Sequence, residues 1–352
     1  MKIDITPKLD FNNVLIKPKR TTINSRSEVN LEREFVFPHS KVSWTGIPIM
    51  AANMDTTGTF EILNVLSRHK ILTCLHKFYT VDDYLLYFTS EKNNAAKDYA
   101  VVSTGISDSD FQKLTDILTE IPELKWICID VANGYMEKMT AFCIKVRETF
   151  PDKIIIAGNV ASSEMTQELI INGKVDIVKV GIGPGSACTT RLKTGVGVPQ
   201  LSAIIDCADG AHGCGGFIIG DGGITCPGDM AKAFGGGADF VMCGGVFSGH
   251  DENPGKLISI AEGSQIKQYK TFYGMSSETA MKKHYGEMAK YRSSEGRCLR
   301  VKYKGPIEAT ILDYLGGLRS TCAYVNAHKI KHLPKCTTFL LVSQQLNTHL
   351  VK

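Results

Sequence analysis

The chain has 352 residues, 43% of them hydrophobic, with 40 basic and 36 acidic side chains and a formal net charge of +4. That near balance, without a long run of either sign, argues against a nucleic-acid stripe or a basic membrane anchor. No stretch approaches the roughly 18 apolar residues of a membrane helix and the N-terminus has no signal-like apolar core, so a cytoplasmic protein with a small-molecule partner is expected.

In chain order, an N-terminal extension over residues 1 to 45 leads to eight short apolar runs: Ile47 to Ala51, Ile71 to Leu75, Tyr99 to Ser103, Trp126 to Val131, Ile154 to Ala157, Val175 to Val180, Gly216 to Gly220 and Asp239 to Cys243. Each predicts a strand buried on both faces. Between them lie helical spacings, such as Met136, Met139, Phe142, Cys143 and Val146, or Met165, Leu169 and Ile170. Strand alternating with helix implies a parallel sheet, and eight units match a single-domain (β/α)8 TIM barrel better than an open doubly wound sheet, which the pattern by itself does not exclude. Eleven cysteines, several of them in these runs (Cys74, Cys128, Cys243) and none in a Cys-x-x-Cys pair, argue against disulfides or a zinc site. Two connections are oversized, one after strand six and one after strand eight, the latter a flap over about residues 250 to 305. The tail from Leu333 to Lys352 reads as an added strand or a subunit contact.

Barrel active sites lie on the loops after the strands, so those two connections are where chemistry is expected. After strand six comes Gly181-Ile182-Gly183-Pro184-Gly185-Ser186-Ala187-Cys188-Thr189-Thr190-Arg191. Alternating glycines let backbone groups converge on an ion or phosphate, and a cysteine beside those dipoles and Arg191 suits a thiolate nucleophile. Residue type leaves a second reading equally open, a flexible loop with an incidental cysteine. Asp221-Gly222-Gly223 after strand seven and Gly244-Gly245 after strand eight suit a nucleotide phosphate, with Asp221 as an acceptor for ribose hydroxyls. Either glycine pair alone would do no more than close a tight turn. The long polar segment with Gly274-Met275-Ser276-Ser277 and Tyr291-Arg292-Ser293-Ser294-Glu295-Gly296 reads as a lid, with Glu295 either a proton relay or a solvated charge. Asp130-Val131-Ala132 sits at the end of strand four, His76 is the only histidine at a strand end, and no G-x-G-x-x-G follows the first strand.

These motifs together resemble the IMP dehydrogenase and GMP reductase family, its reductase branch most closely. The likeness runs from Leu9-Asp10-Phe11 and Ala51-Ala52-Asn53-Met54-Asp55 to Gly316-Gly317-Leu318-Arg319-Ser320-Thr321-Cys322. It implies that Cys188 attacks purine C2 of GMP to form a thioimidate, with Thr190 and Glu295 moving protons. Potassium would be held mainly by backbone carbonyls around Gly183, Gly185, Cys188 and Arg191. Nucleotide contacts would fall at Asp221, Gly222, Gly223, Gly244, Gly245, Gly274, Met275, Ser276, Arg292, Ser293, Ser294, Glu295 and Gly296. NADPH would meet Lys77, Asp130, Val131, Ala132, Ile182, Gly183, Met275 and Tyr291, with Ser25, Arg26, Ser320, Thr321, Cys322 and Ala323 reaching it across a subunit boundary in a homotetramer.

The alternatives are a dehydrogenase that has lost its regulatory modules and a non-catalytic nucleotide-binding barrel. Only residues 76 to 98 separate strands two and three, too few for an inserted pair of modules. The flap reads Tyr-Arg where the dehydrogenase branch places Arg before Tyr, which favours reduction of GMP to IMP with loss of ammonia.

Overall fold

A computed structural model describes residues 3–263, 265–286 and 293–343. Eight strands, β1 (Ser43–Ala51), β2 (Ile71–Leu75), β3 (Ala100–Thr104), β4 (Trp126–Asp130), β5 (Ile154–Val160), β6 (Ile177–Val180), β7 (Phe217–Asp221) and β8 (Phe240–Cys243), pair in parallel with their neighbours in sequence. Val241 to Cys243 of β8 then pair in parallel with Ile49 to Ala51 of β1 and close the ring. Closure, which the pattern left open against a doubly wound sheet, thus follows from one pairing between strands almost 200 residues apart. Each strand is followed by a helix: α1 (Phe60–Leu66), α2 (Val81–Phe88), α3 (Asp108–Glu120), α4 (Glu137–Thr149), α5 (Ser163–Ile171), α6 (Gln200–Gly213), α7 (Pro227–Gly235) and α8 (Glu308–Tyr324).

Side chains alternate across each strand, so the continuous apolar runs serve two cores. Met50, Leu72, Cys74, Val101, Cys128, Ile156, Ile219 and Met242 point into the barrel, while Ile49, Leu75, Val102, Ile127, Ile155 and Val178 face the helices. Met139, Phe142, Cys143 and Val146 form the buried stripe of α4; Met136, taken with them from its spacing, is instead the N-cap residue and 37% exposed. The cysteines are all free.

The barrel is plugged at one end and open at the other. An antiparallel strand, Arg33–Val36, pairs with the start of β1, Phe35 opposite Trp44. It drives Phe35 against Phe240, ring centres 4.3 Å apart, and Phe37 edge-on to Trp126 at 5.2 Å. Aromatic contacts of this geometry add about 0.5–1.5 kcal/mol each beyond their buried area. The far end, where the strands terminate, carries the two long connections.

The connection after β8 is not a plain loop. It forms a three-stranded antiparallel sheet, Ile258–Glu262, Gln265–Tyr273 and Cys298–Lys302, with a helix Glu278–Tyr285 between the last two. In the tail, Phe339–Leu341 pairs antiparallel with Val14–Ile16, which is the added strand expected there.

Candidate active site

The glycine loop after β6 turns into a short helix, Thr190–Thr194, and leaves Cys188 partly exposed at the barrel mouth. The Cys188 thiol donates to Thr190 Oγ1 at 3.3 Å, and the Thr190 hydroxyl donates to Glu295 Oε2 at 2.7 Å. Thr190 and Glu295 lie 105 positions apart, and backbone pairing brings them together. Thr189 N–H donates to the Glu295 carbonyl (2.7 Å), Arg297 N–H to the Ala187 carbonyl (2.9 Å), and Gly296 bridges both Cys188 and Ser277. The approach is close enough to demand glycine: a Cβ on Gly274 would lie 2.8 Å from the Ala187 carbonyl oxygen, and one on Gly296 would lie 2.7 Å from Ser277 N.

Cys188, Thr190 and Glu295 line a cavity of about 390 Å³. The same wall contains Asp221, Gly222, Gly223, Gly244, Gly245, Gly274, Met275, Ser276 and Gly296, as well as Ile182, Gly183 and Gly185. Gly222 and Gly223 both have positive φ, 91° and 82°, which turns the chain sharply after β7 and is open to glycine at no steric cost. Loops after barrel strands seven and eight are a recurrent phosphate site.

A second cavity of about 710 Å³ adjoins the first, sharing Asn53, Asp130, Val131, Ala132, Met275, Ser276 and Glu295. Lys77, Lys138 and Ser293 also line it. Ser294 lines neither; its hydroxyl donates to the Gly296 carbonyl at 2.9 Å and braces the turn behind Glu295. Tyr291 and Arg292 lie outside the described residues. Ser25 caps the turn Arg26–Glu28, which packs on α8, where Ser320, Thr321, Cys322 and Ala323 lie; none of these six lines either cavity, and Cys322 is fully buried. Arg191 also stands behind the wall, its guanidinium on the Val198 carbonyl (2.6 Å) and on Asp10 (3.3 Å), where it fastens the cysteine loop to the N-terminal extension.

Sequence reasoning missed the residues under the floor. Lys179, on β6, is buried and reaches Asp130 at 2.7 Å and Asp221 at 2.8 Å. Burial disfavours its ammonium, but the two carboxylates outweigh that and hold its pKa well above the usual lysine value. Burial likewise pushes Asp130 upward, and Lys179 with the Asn53 amide more than reverses it. Asn159 adds a 2.9 Å bond to the same Asp221 oxygen, so the carboxylate is fixed in orientation with its other oxygen free of these two partners. Gln200 ties the ends of β6 and β7 through the Val180 and Asp221 carbonyls, at 2.9 and 3.0 Å. The available signal was a lysine inside the apolar run Val175 to Val180: a charge there must be paired.

The IMP dehydrogenase / GMP reductase domain model matches residues 8–348. A GMP reductase of Caenorhabditis elegans is 53% identical over 346 residues, covering 98% of this chain and 95% of that protein. GMP reductase 1 of Homo sapiens is 55% identical over 347 residues, 99% of both chains. A GMP reductase of Klebsiella pneumoniae is 54% identical over 347 residues, 99% of this chain and 98% of its own. With one closed barrel, a cysteine loop tied to its flap, and likeness of this extent from end to end, the chain belongs to the IMP dehydrogenase / GMP reductase family.

Proposed function

We propose that this protein reduces GMP to IMP and ammonia with NADPH. The observation that carries the reading is the hydrogen-bonded chain from Cys188 through Thr190 to Glu295 on the wall of a cavity that also holds the glycine turns after β7 and β8. With phosphate at those turns and ribose on Asp221, purine C2 comes to the Cys188 thiolate. Cys188, its proton passed through Thr190 to Glu295, adds sulfur to C2, Glu295 returns that proton through Thr190 to the exocyclic amine, and the C2–N bond breaks to release ammonia, leaving a thioimidate. The adjoining cavity, with Lys77, Asp130, Val131 and Ala132 on its wall, would hold NADPH, which when bound would supply the hydride that reduces C2. The C–S bond then breaks and the electron pair returns to Cys188. The shared wall at Met275, Ser276 and Glu295 fits that traffic, since both partners must reach one carbon.

Potassium belongs to the same reading. The carbonyl of Gly185 accepts the Cys188 amide at 2.9 Å and that of Arg191 accepts Gly195 at 3.1 Å; each retains a second lone pair, and with Gly183 and Cys188 these oxygens suit a large monovalent ion. Its role would be to order the cysteine loop. A cytoplasmic homotetramer, in which Ser25, Arg26 and Ser320 to Ala323 complete a neighbour's NADPH site, completes the reading.

The test is the direction of the reaction. NADPH absorbance should fall with GMP present, producing IMP and ammonia, and the rate should drop when sodium or lithium replaces potassium. No XMP should form from IMP and NAD⁺; the reverse preference would make the protein a dehydrogenase.

A further inference from the structure

Outside the reacting groups, a dense set of polar contacts at the barrel mouth surrounds Asp55, on the connection from β1 to α1. Its side chain is 1% exposed. A single oxygen, Oδ2, accepts from Tyr273 Oη at 2.8 Å, from Lys283 Nζ at 2.8 Å and from His284 Nε2 at 2.6 Å. All three donors belong to the flap. Tyr273 ends the strand Gln265–Tyr273, and Lys283 and His284 lie near the end of the helix Glu278–Tyr285. One carboxylate therefore grips both sides of the Gly274 to Ser277 turn, and its backbone N–H also approaches Met275 Sδ at 3.5 Å. His284 is further held by stacking on Phe78, ring centres 3.5 Å apart.

What is gripped matters. Met275 and Ser276 line both cavities, and Met281 and Tyr285 of the flap helix line the larger one, with Phe78 opposite. Glu295 is held independently, by Thr189 and by the Arg297 to Ala187 bond on the cysteine loop. Releasing Asp55 would thus loosen the wall of the NADPH-side cavity while leaving the Cys188, Thr190 and Glu295 chain in place. Burial alone would raise the Asp55 pKa, but bonds from Lys283, His284 and Tyr273 hold it below the ordinary carboxylate value, so the anion persists at neutral pH.

We propose that Asp55 is a positioning residue: by anchoring Tyr273, Lys283 and His284 it sets the flap turn and helix as the wall against which NADPH binds. The inference rests on the GMP reductase reading for its kinetic consequence, but not for its structural one.

Two variants test it, Asp55→Asn and Lys283→Met, the second at a half-exposed side chain whose removal leaves the core intact. Each should raise the KM for NADPH roughly tenfold, the loss expected of one charge-assisted hydrogen bond, with a clearly smaller loss of GMP affinity in direct binding. Lys283→Arg should recover most of the loss. Hydrogen exchange of the nucleotide-free protein should quicken over residues 278 to 285 in both variants and stay constant in the barrel helices. If the wild type turns over GMP but the variants keep its NADPH KM and flap exchange, the anchoring role is wrong. Equal losses of GMP and NADPH affinity would also overturn it, by showing general damage. If the wild type is inactive with GMP and NADPH, the functional reading fails, and exchange at 278 to 285 still decides the role of Asp55.

Discussion

Cys188, Thr190 and Glu295 make a three-atom path, Sγ to Oγ1 to Oε2, with steps of 3.3 and 2.7 Å. If protons travel along it as a unit, Thr190→Val and Glu295→Gln should each cost roughly the 10²- to 10⁴-fold typical of general acid-base catalysis, and the double variant little more. Steady-state kcat of the three variants decides this, since losses that multiply would mean separate roles. Cys188→Ala should abolish turnover and retain GMP binding, because the phosphate and ribose contacts proposed above lie on other loops. His76 offers a pH test of stability. Burial lowers its pKa from 6.5 to about 4, with nearby Asp55 pulling the other way. As pH falls below about 6.5 the unfolded chain takes up a proton that the native imidazole refuses until about 4, so stability should fall through this window, by at most about 1.4 kcal/mol per unit. Urea midpoints measured across that range should show the decline, and His76→Phe should flatten it. At this scale the residues that touch substrate in the proposed reaction were legible because unusual residue types stand in loops. Lys179 and Asn159 were not, since a paired charge under a floor is apparent only when its partners from β4 and β7 are seen beside it.

Among the elements, the barrel strands lay within a few residues of their apolar runs, because a strand buried on both faces has few polar positions to blur it. The flap sheet was read as a polar lid. Burial rises along Gln265–Tyr273 instead of alternating, and only its last residues, Phe272 and Tyr273, are buried apolar side chains. Pairing partners, Tyr273 with Cys298 and Phe272 with Leu299, come from another part of the flap and leave little local trace. The flap's contact with the cysteine loop leads to a prediction at this level. Gly274→Ala places a methyl 2.8 Å from the Ala187 carbonyl oxygen, and must push the flap turn away from the loop that holds Cys188. Turnover should fall by roughly ten-fold or more while the melting temperature shifts by only a few degrees, because the barrel core is untouched. A purified variant that melts normally and works at the wild-type rate would show that the close approach is dispensable.

For the molecule as a whole, function becomes a matter of assembly. The turn that Ser25 caps and Arg26 opens packs on α8, which carries Ser320 to Ala323, and none of these residues lines either cavity of its own chain. If they complete the NADPH site of a neighbour, Arg26→Ala and Cys188→Ala subunits, each impaired alone, should regain activity when mixed and reassembled, since one contributes an intact Cys188 and the other an intact Arg26. No recovery in verified mixed oligomers would place Arg26 outside the neighbouring site. The sequence by itself determined the strand and helix order, the cysteine loop and the family, because periodicity, glycine spacing and residue type are properties of contiguous segments. Tertiary structure alone decided that the sheet closes, that Lys179 joins Asp130 to Asp221, and that Asp55 meets Tyr273, Lys283 and His284 of the flap. Those contacts depend on closing β8 against β1 and folding the flap back over the mouth, and the pairing of residues 42 to more than 200 positions apart leaves no periodic trace along one chain.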